Sequence, residues 1–346
     1  MARGNESLSG RRVPQVTVIG AGSWGTTVAS TAARNVSTVL WARRPEIAAE
    51  VEEGHTNEAY LPGLRLYPKL AASRSLEEAV SRADVLVMAV PSHGFRAVLS
   101  EATPYVRPWV PVVSLVKGLE QGTRMRMTQV IAEVLPGHPA GILAGPNLAR
   151  EVLGGFAAAA VVAMADEAVA QALQAIFRTT IFRVYTTHDV VGAEIAGALK
   201  NVFAIAAGMG SGLGTGDNTR AMVITRSLAE LTRLGVAMGG DPRTFAGLAG
   251  MGDLIATCVS PLSRNRYVGE QLARGRSIDE ITSEMKMVAE GVKTSRVVME
   301  LAEEYGVAMP IAAEVDAVVN RGQSVEEAYR GLARTKPSHE IHGESP

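Results

Sequence analysis

Cysteine is all but missing from this 346-residue chain. Cys258 stands alone, so no intrachain disulfide can form, which fits a reducing compartment. A basic surplus is missing too. Lys and Arg total 34 against 35 for Asp and Glu, a net charge of −1, whereas nucleic-acid binders carry a positive excess. No nucleic-acid partner is expected, although a local basic pocket for a small anion stays open. No uninterrupted apolar run reaches the ~18–20 residues of a membrane helix. The longest, around Phe156–Ala165, is Ala-rich and reads as core, so no stable membrane insertion is expected. No His, Cys, Asp or Glu cluster has metal-ligand spacing, and no internal repeat is visible. Arg11-Arg12 ahead of an apolar segment suggest a twin-arginine export signal. The pair leads, however, into a strand and a glycine turn, not a continuous hydrophobic stretch with a cleavage site, so a cytoplasmic location is expected.

What is present has a globular balance: 47% hydrophobic and 20% charged residues, in a length that suits two domains of ~100–200 residues. From Val13, short β-branched runs alternate with Ala-rich segments. Strands are predicted at Gln15–Ile19, Thr38–Trp41, Val85–Val90, Val112–Leu115, Ile142–Ala144, Ala158–Met164 and Phe182–Tyr185. Strands alternating with helices imply a parallel sheet wrapped on both faces. After about Thr187 helical periodicity takes over, over Val191–Gly208, Asn218–Leu234, Arg264–Arg274, Val292–Tyr305 and Ser324–Leu332, with glycines 235, 239 and 240 suited to helix ends. The expectation is an α/β chain: an N-terminal Rossmann-type doubly wound sheet over residues 13–192, an all-helical domain over 193–334, and a polar tail over 335–346.

The first predicted strand runs into Gly20-Ala21-Gly22-Ser23-Trp24-Gly25 and then into a helical segment. In this G-x-G-x-x-G the first glycine makes the turn, the second lets a pyrophosphate approach the backbone, and the third packs helix on strand. The free N–H groups of the helix start face the phosphates. Strand before and helix after make the motif a dinucleotide fingerprint rather than a chance glycine turn. The second strand ends in Arg43-Arg44, where a site built for NAD usually carries an acid on the ribose 2′-hydroxyl. Guanidinium groups pair with a 2′-phosphate that an acid would repel, so NADP is expected to be accepted as well as NAD. The plainer reading is two solvated loop charges.

The segment Val191–Gly208 is apolar or small apart from Glu194 and Lys200-Asn201. Ala196, Gly197 and Ala204 share a face with Lys200 and leave room for a ligand to reach the ammonium. Desolvation there lowers a lysine pKa toward a useful acid/base range; the alternative is a lysine that snorkels to water. Further on, Ser263 is a candidate N-cap for a helix opening with Arg264-Asn265, and free N–H groups beside a guanidinium and an amide make an anion site. Asp253 either orients a hydroxyl or closes a turn. Lys117 follows the fourth strand and Gly145-Pro146-Asn147-Leu148-Ala149 the fifth, both at carboxyl ends where open α/β sheets place ligands.

Together these motifs closely resemble the bacterial NAD(P)-dependent sn-glycerol-3-phosphate dehydrogenases. The matching pieces include GAGSWGT, YLPG, AVPSH, SLVKGLE, AGPNLAREV, GALKNVFAIAAG, LAGMGDLIATC, SRNR and MVAEGVKT, and they run in family order from Val16 to about Met309. The resemblance implies that Lys200 is the general acid/base, and that Lys117, Gly145, Asn147, Lys200, Asp253, Ser263, Arg264 and Asn265 contact substrate. It implies dinucleotide contacts from the glycine loop with Ser23 and Trp24, and from Arg43, Arg44, Tyr60, Lys117, Ala149, Arg264, Val288 and Glu290. Tyr60 reads equally well as an exposed loop aromatic. The family commonly has Ser or Thr in place of Asn147, a departure that alters local contacts rather than the reaction. The implied reaction is reversible, metal-free reduction of dihydroxyacetone phosphate to sn-glycerol 3-phosphate, the phospholipid backbone precursor; a homodimer is the candidate assembly. Two alternatives stand beside it: a dehydrogenase of hydroxy acids, and a dinucleotide sensor without catalysis.

Overall fold

The computed structural model describes residues 14–285 and 289–334. Eight strands form one sheet: β1 (Gln15–Ile19), β2 (Ser37–Trp41), β3 (Leu70–Ser73), β4 (Val85–Met88), β5 (Val112–Ser114), β6 (Ala140–Ala144), β7 (Ala158–Met164) and β8 (Phe182–Thr187). Their order is β3-β2-β1-β4-β5-β6-β7-β8. All seven predicted strands are present, some longer or shorter at their ends. The unpredicted one, β3, reads Leu-Ala-Ala-Ser. Ala and Ser have little β preference, and pairing with β2 supplies what propensity does not.

The strands are buried on both faces. Along β4, Val85 and Val87 pack into one cluster with Val28 and Ala29 of the helix Ser23–Ala32. Leu86 and Met88 pack into the other with Phe95, Leu99 and Ile131. That two-sided burial explains the continuous apolar runs. One expectation needs correcting: the sheet is not parallel throughout, because β7 runs antiparallel to β6, and β8 then follows β7 in parallel. The helix between β6 and β7 is only the five residues Ala149–Leu153, about 7.5 Å of rise. That is too short to carry the chain back along a five-residue strand, as a parallel crossover requires.

The helical half is built round the helix Val190–Gly212, buried from Gly192 to Met209. It is the one helix among the described residues long and apolar enough to span a membrane, and 89% of its apolar window is inside the protein. Helices Asp217–Ala237, Arg264–Ala273, Glu290–Glu304 and Pro310–Arg321 pack around it. Gly208 and Gly269 stand where this helix crosses Arg264–Ala273. A Cβ on Gly208 would overlap the Arg266 carbonyl, and one on Gly269 the Ile205 carbonyl. Gly235, expected at a helix end, lies inside Asp217–Ala237, where the Phe245 ring leaves no room for a side chain. Gly239, at φ +96°, does lie beyond that helix end.

Candidate active site

A cleft of about 640 Å³ opens between the carboxyl ends of the parallel strands and the helical half. The glycine loop forms one wall. Gly20 has φ +116°, and a Cβ there would come within 2.7 Å of the Ala89 carbonyl oxygen. A Cβ on Gly25 would overlap the Gly20 carbonyl, whereas one on Gly22 would meet nothing within 4 Å. The loop is therefore shut behind and open in front. Gly22 caps the helix Ser23–Ala32 with no side-chain acceptor, so the first N–H groups face the cleft. Asn57 braces the loop, donating to the Ala21 carbonyl at 3.0 Å and to Thr26 Oγ1 at 2.9 Å. These features fit a dinucleotide pyrophosphate. Ser23 and Trp24 line the same wall, and the Trp24 indole N–H is buried without a hydrogen-bond partner. Arg43 and Arg44 sit exposed at the end of β2, with Arg44 stacked 5.3 Å over the Tyr60 ring; all three line the cleft.

The opposite wall carries the charged centre. Lys200, 4% exposed, donates from Nζ to Asp253 Oδ1 and to Thr257 Oγ1, the latter at 2.6 Å. Lys117 Nζ donates to the other Asp253 oxygen at 2.7 Å and to the Gly145 carbonyl at 2.9 Å. One buried carboxylate thus holds two ammonium groups side by side. Burial lowers the Lys200 pKa to about 7; Asp253 opposes the shift and Lys117 adds to it. The cation foreseen in an apolar helix is partnered, and it does not snorkel.

Ser263 caps the helix Arg264–Ala273, accepting from the Arg266 N–H at 3.3 Å. Asn265 is fixed at both ends: its Nδ2 donates to Asn201 Oδ1 at 2.9 Å, and its Oδ1 accepts from the Gly291 N–H at 3.0 Å. Asn201 in turn donates to the Lys117 carbonyl at 2.7 Å. A chain of amides therefore ties the Lys117 loop to the anion-binding helix start. Arg264 faces the cleft, where desolvation makes its guanidinium less basic and Glu290 works the other way. Glu290 is held from the sheet half, accepting from Ser92 Oγ at 2.7 Å and the Ser92 N–H at 3.3 Å.

The cleft wall brings together Gly20, Gly22, Ser23, Trp24, Gly25, Arg43, Arg44, Tyr60, Lys117, Asn147, Lys200, Ser263, Arg264, Asn265 and Glu290. Gly145, Ala149 and Asp253 stand behind it. Gly145 and Asp253 hold the lysines, and the Ala149 carbonyl accepts from Thr27 Oγ1 at 3.3 Å. Val288 lies outside the described residues. Thr257 is not among the residues that the sequence singles out, and Asn201 is named there beside Lys200 without a role. Thr257 stands four residues after Asp253 on the helix Asp253–Val259, a spacing that shares a face, but that helix was itself unforeseen.

A doubly wound sheet with an open glycine loop, facing a lysine pair on a helical half, defines a dinucleotide-dependent dehydrogenase of two-part build. Comparison with known proteins specifies it further. The family described as NAD-dependent glycerol-3-phosphate dehydrogenase N-terminus matches residues 15–170, and its C-terminus counterpart residues 189–330. The chain is 63% identical over 333 residues to the glycerol-3-phosphate dehydrogenase (NAD(P)+) of Mycobacterium avium (strain 104), covering 96% of this chain and 98% of that protein. It is equally identical, over 334 residues with the same coverage, to glycerol-3-phosphate dehydrogenase (NAD(P)+) 1 of Mycobacterium bovis. A crystal structure of glycerol-3-phosphate dehydrogenase from Coxiella burnetii is similar at a TM-score of 0.89 and 31% identity, covering 93% of this chain and 99% of that one. The chain belongs to the NAD-dependent glycerol-3-phosphate dehydrogenase family.

Proposed function

We propose that this protein interconverts dihydroxyacetone phosphate and sn-glycerol 3-phosphate with NADP or NAD, supplying the phospholipid backbone. The observation that carries the reading is Lys200. Its ammonium is buried and poised near neutrality, on a cleft that also holds the open glycine loop and the Ser263 helix start. Gly20, Gly22, Ser23, Trp24 and Gly25 would hold the pyrophosphate, with Arg43, Arg44 and Tyr60 at the adenosine end. Lys117, Ala149, Arg264 and Glu290 would complete the coenzyme's surroundings. When bound, the nicotinamide supplies or accepts the hydride at substrate C2.

Lys200 does the proton work. An ammonium has three N–H donors; Asp253 and Thr257 take two, and the third is for the substrate C2 oxygen. As that oxygen gains negative charge, Lys200 stabilises it and gives up a proton; in the reverse direction neutral Lys200 takes the proton back. Asp253 keeps the two lysines in place, and Gly145 anchors Lys117 through its carbonyl. Arg264 and the helix start at Ser263–Asn265 would receive the substrate phosphate. Asn265, whose Oδ1 and one Nδ2 hydrogen are taken, keeps its second Nδ2 hydrogen for the phosphate while it grips Asn201.

Turnover followed by nicotinamide absorbance tests the reading. Dihydroxyacetone phosphate should be reduced far faster than dihydroxyacetone or a 2-keto acid. A preference for the keto acid would point to hydroxy-acid chemistry, and coenzyme binding without any turnover would point to a sensor. The single buried Cys258 supports a cytoplasmic location. A homodimer is the proposed assembly, supported by the exposed apolar residues Met251, Ile255 and Val259 at four-residue spacing and open to measurement by light scattering.

A further inference from the structure

Asn147 lines the cleft, yet both polar atoms of its carboxamide are buried and neither has a hydrogen-bond partner. Leaving a buried donor or acceptor unpaired costs about 1–3 kcal/mol, so a side chain with one of each calls for a ligand that satisfies both. Its position narrows the ligand. Two residues before it, the Gly145 carbonyl is held by Lys117; two residues after it, the Ala149 carbonyl is held by Thr27 of the first helix. Asn147 therefore lies between the phosphate-binding helix and the lysine pair, just beyond the carboxyl end of β6. A doubly wound sheet of this kind binds one mononucleotide on each half. Arg43 and Arg44 mark the β1–β3 half as the adenosine side, so Asn147 stands on the nicotinamide side.

The chemistry narrows it again. A phosphate offers acceptors only and would leave Asn147 Oδ1 unpaired. In dihydroxyacetone phosphate the C2 oxygen is the one that Lys200 takes, and the C1 hydroxyl left over would satisfy one of the two atoms well. A primary carboxamide presents an N–H donor and a C=O acceptor side by side, and pairs with another in two parallel hydrogen bonds. Turning the Asn147 amide over exchanges its two atoms without losing the match. We propose that Asn147 recognises the carboxamide of the nicotinamide ring, rather than the substrate, and so fixes which face of the ring is turned toward Lys200. The proposal rests on the reading that the cleft takes a nicotinamide dinucleotide.

The test is coenzyme binding to the substrate-free protein, read by tryptophan fluorescence. NADH is compared with reduced 3-acetylpyridine adenine dinucleotide, in which a methyl ketone replaces the amide. The wild type should prefer NADH. Asn147→Leu, similar in size but without polar atoms, should weaken NADH about tenfold, the equivalent of roughly 1.4 kcal/mol for two lost hydrogen bonds. The same change should weaken the analogue less, because its ketone makes only one of the two bonds, so the preference for NADH narrows. Asn147→Ser, too short to make the pair, should give the same pattern should the Leu variant prove unstable. Unchanged NADH binding, or equal loss for both coenzymes, would overturn the proposal. So would a variant whose only defect is a raised KM for dihydroxyacetone phosphate. A wild-type protein that binds no NADH would instead overturn the reading of the cleft itself.

Discussion

Lys200 puts a positive charge where its helix is otherwise packed with Ala196, Leu199, Phe203 and Ala204. Its lowered pKa gives the two reaction directions opposite pH dependence. Reduction needs the protonated amine, so kcat/KM for dihydroxyacetone phosphate should fall as pH rises through about 7. Oxidation needs the neutral amine, so kcat/KM for sn-glycerol 3-phosphate should rise over the same range. Parallel profiles in both directions would remove Lys200 from the proton transfer. Lys200→Met should cut turnover by ~10²-fold or more with coenzyme binding near wild type, and Lys200→Arg should fail too, since guanidinium keeps its proton. Retention of activity within a few-fold would shift attention to Lys117. At the other end of the cleft, replacing Arg43 and Arg44 with Ala should weaken NADPH more than NADH; equal losses would show that neither arginine reads the 2′-phosphate. These residues were legible in the sequence because each breaks a local pattern: glycines in a tight turn, a cation in an apolar helix, arginines where an acid is usual. Thr257 breaks none. Its value, like that of Asn201 beside Lys200, lies in what reaches it from elsewhere in the chain, which spacing alone does not display.

Among the elements, long periodic helices and β-branched strands could be read directly, while short pieces such as Pro242–Phe245, Asp253–Val259 and Ile278–Glu284 give too few turns to show a period. The direction of β7 was also hidden, since a strand's composition does not record its polarity. That direction matters to the site. Because β7 and β8 run away from the cleft, the helix Val190–Gly212 starts at the far end of the sheet, with Ala193 packed on Ile142, Ala144, Val161 and Ala163. Lys200 lies ten residues along that helix, about 15 Å of rise, which brings it level with the strand ends. The crossing at Gly208 and Gly269 then sets how closely the Ser263–Asn265 helix start approaches. Gly269→Ala should therefore lower stability by about 1–3 kcal/mol, although Ala is ordinarily the better helix residue. Urea denaturation measures it; an unchanged or raised midpoint would mean that the crossing has slack.

At the scale of the whole molecule, the two halves are latched by Glu194. This carboxylate, 5% exposed, accepts from Arg126 Nη1 at 2.8 Å and from both the N–H, at 2.9 Å, and the hydroxyl of Thr128. Arg126 and Thr128 belong to the sheet half, while Glu194 sits on the same helix as Lys200. Burial raises the Glu194 pKa, and Arg126 opposes that shift. Glu194→Ala leaves the Arg126 charge without its carboxylate, with only the Thr128 hydroxyl at 3.0 Å beside it, and should cost about 3–5 kcal/mol in denaturant unfolding. A loss below about 1 kcal/mol, within the range of exposed pairs, would show that the halves stay together without the latch.

The amide chain from Lys117 through Asn201 to Asn265, together with the Lys200–Asp253–Thr257 contacts, also has a consequence in time. All eight strands lie before Val190 in the chain, so a nascent protein has the whole sheet, glycine loop included, before Lys200 is made. Thr257 follows Thr187 by 70 residues (257 − 187), roughly 4–14 s of synthesis at ~5–20 residues per second. Until residue 253 is added near the end of that interval, the emerging chain holds the phosphate-binding loop and Lys117 but neither Asp253 nor the Ser263 helix start. Chemistry waits on the last partners of the lysine pair, and a chain cut short before them is left with lysines that no carboxylate positions.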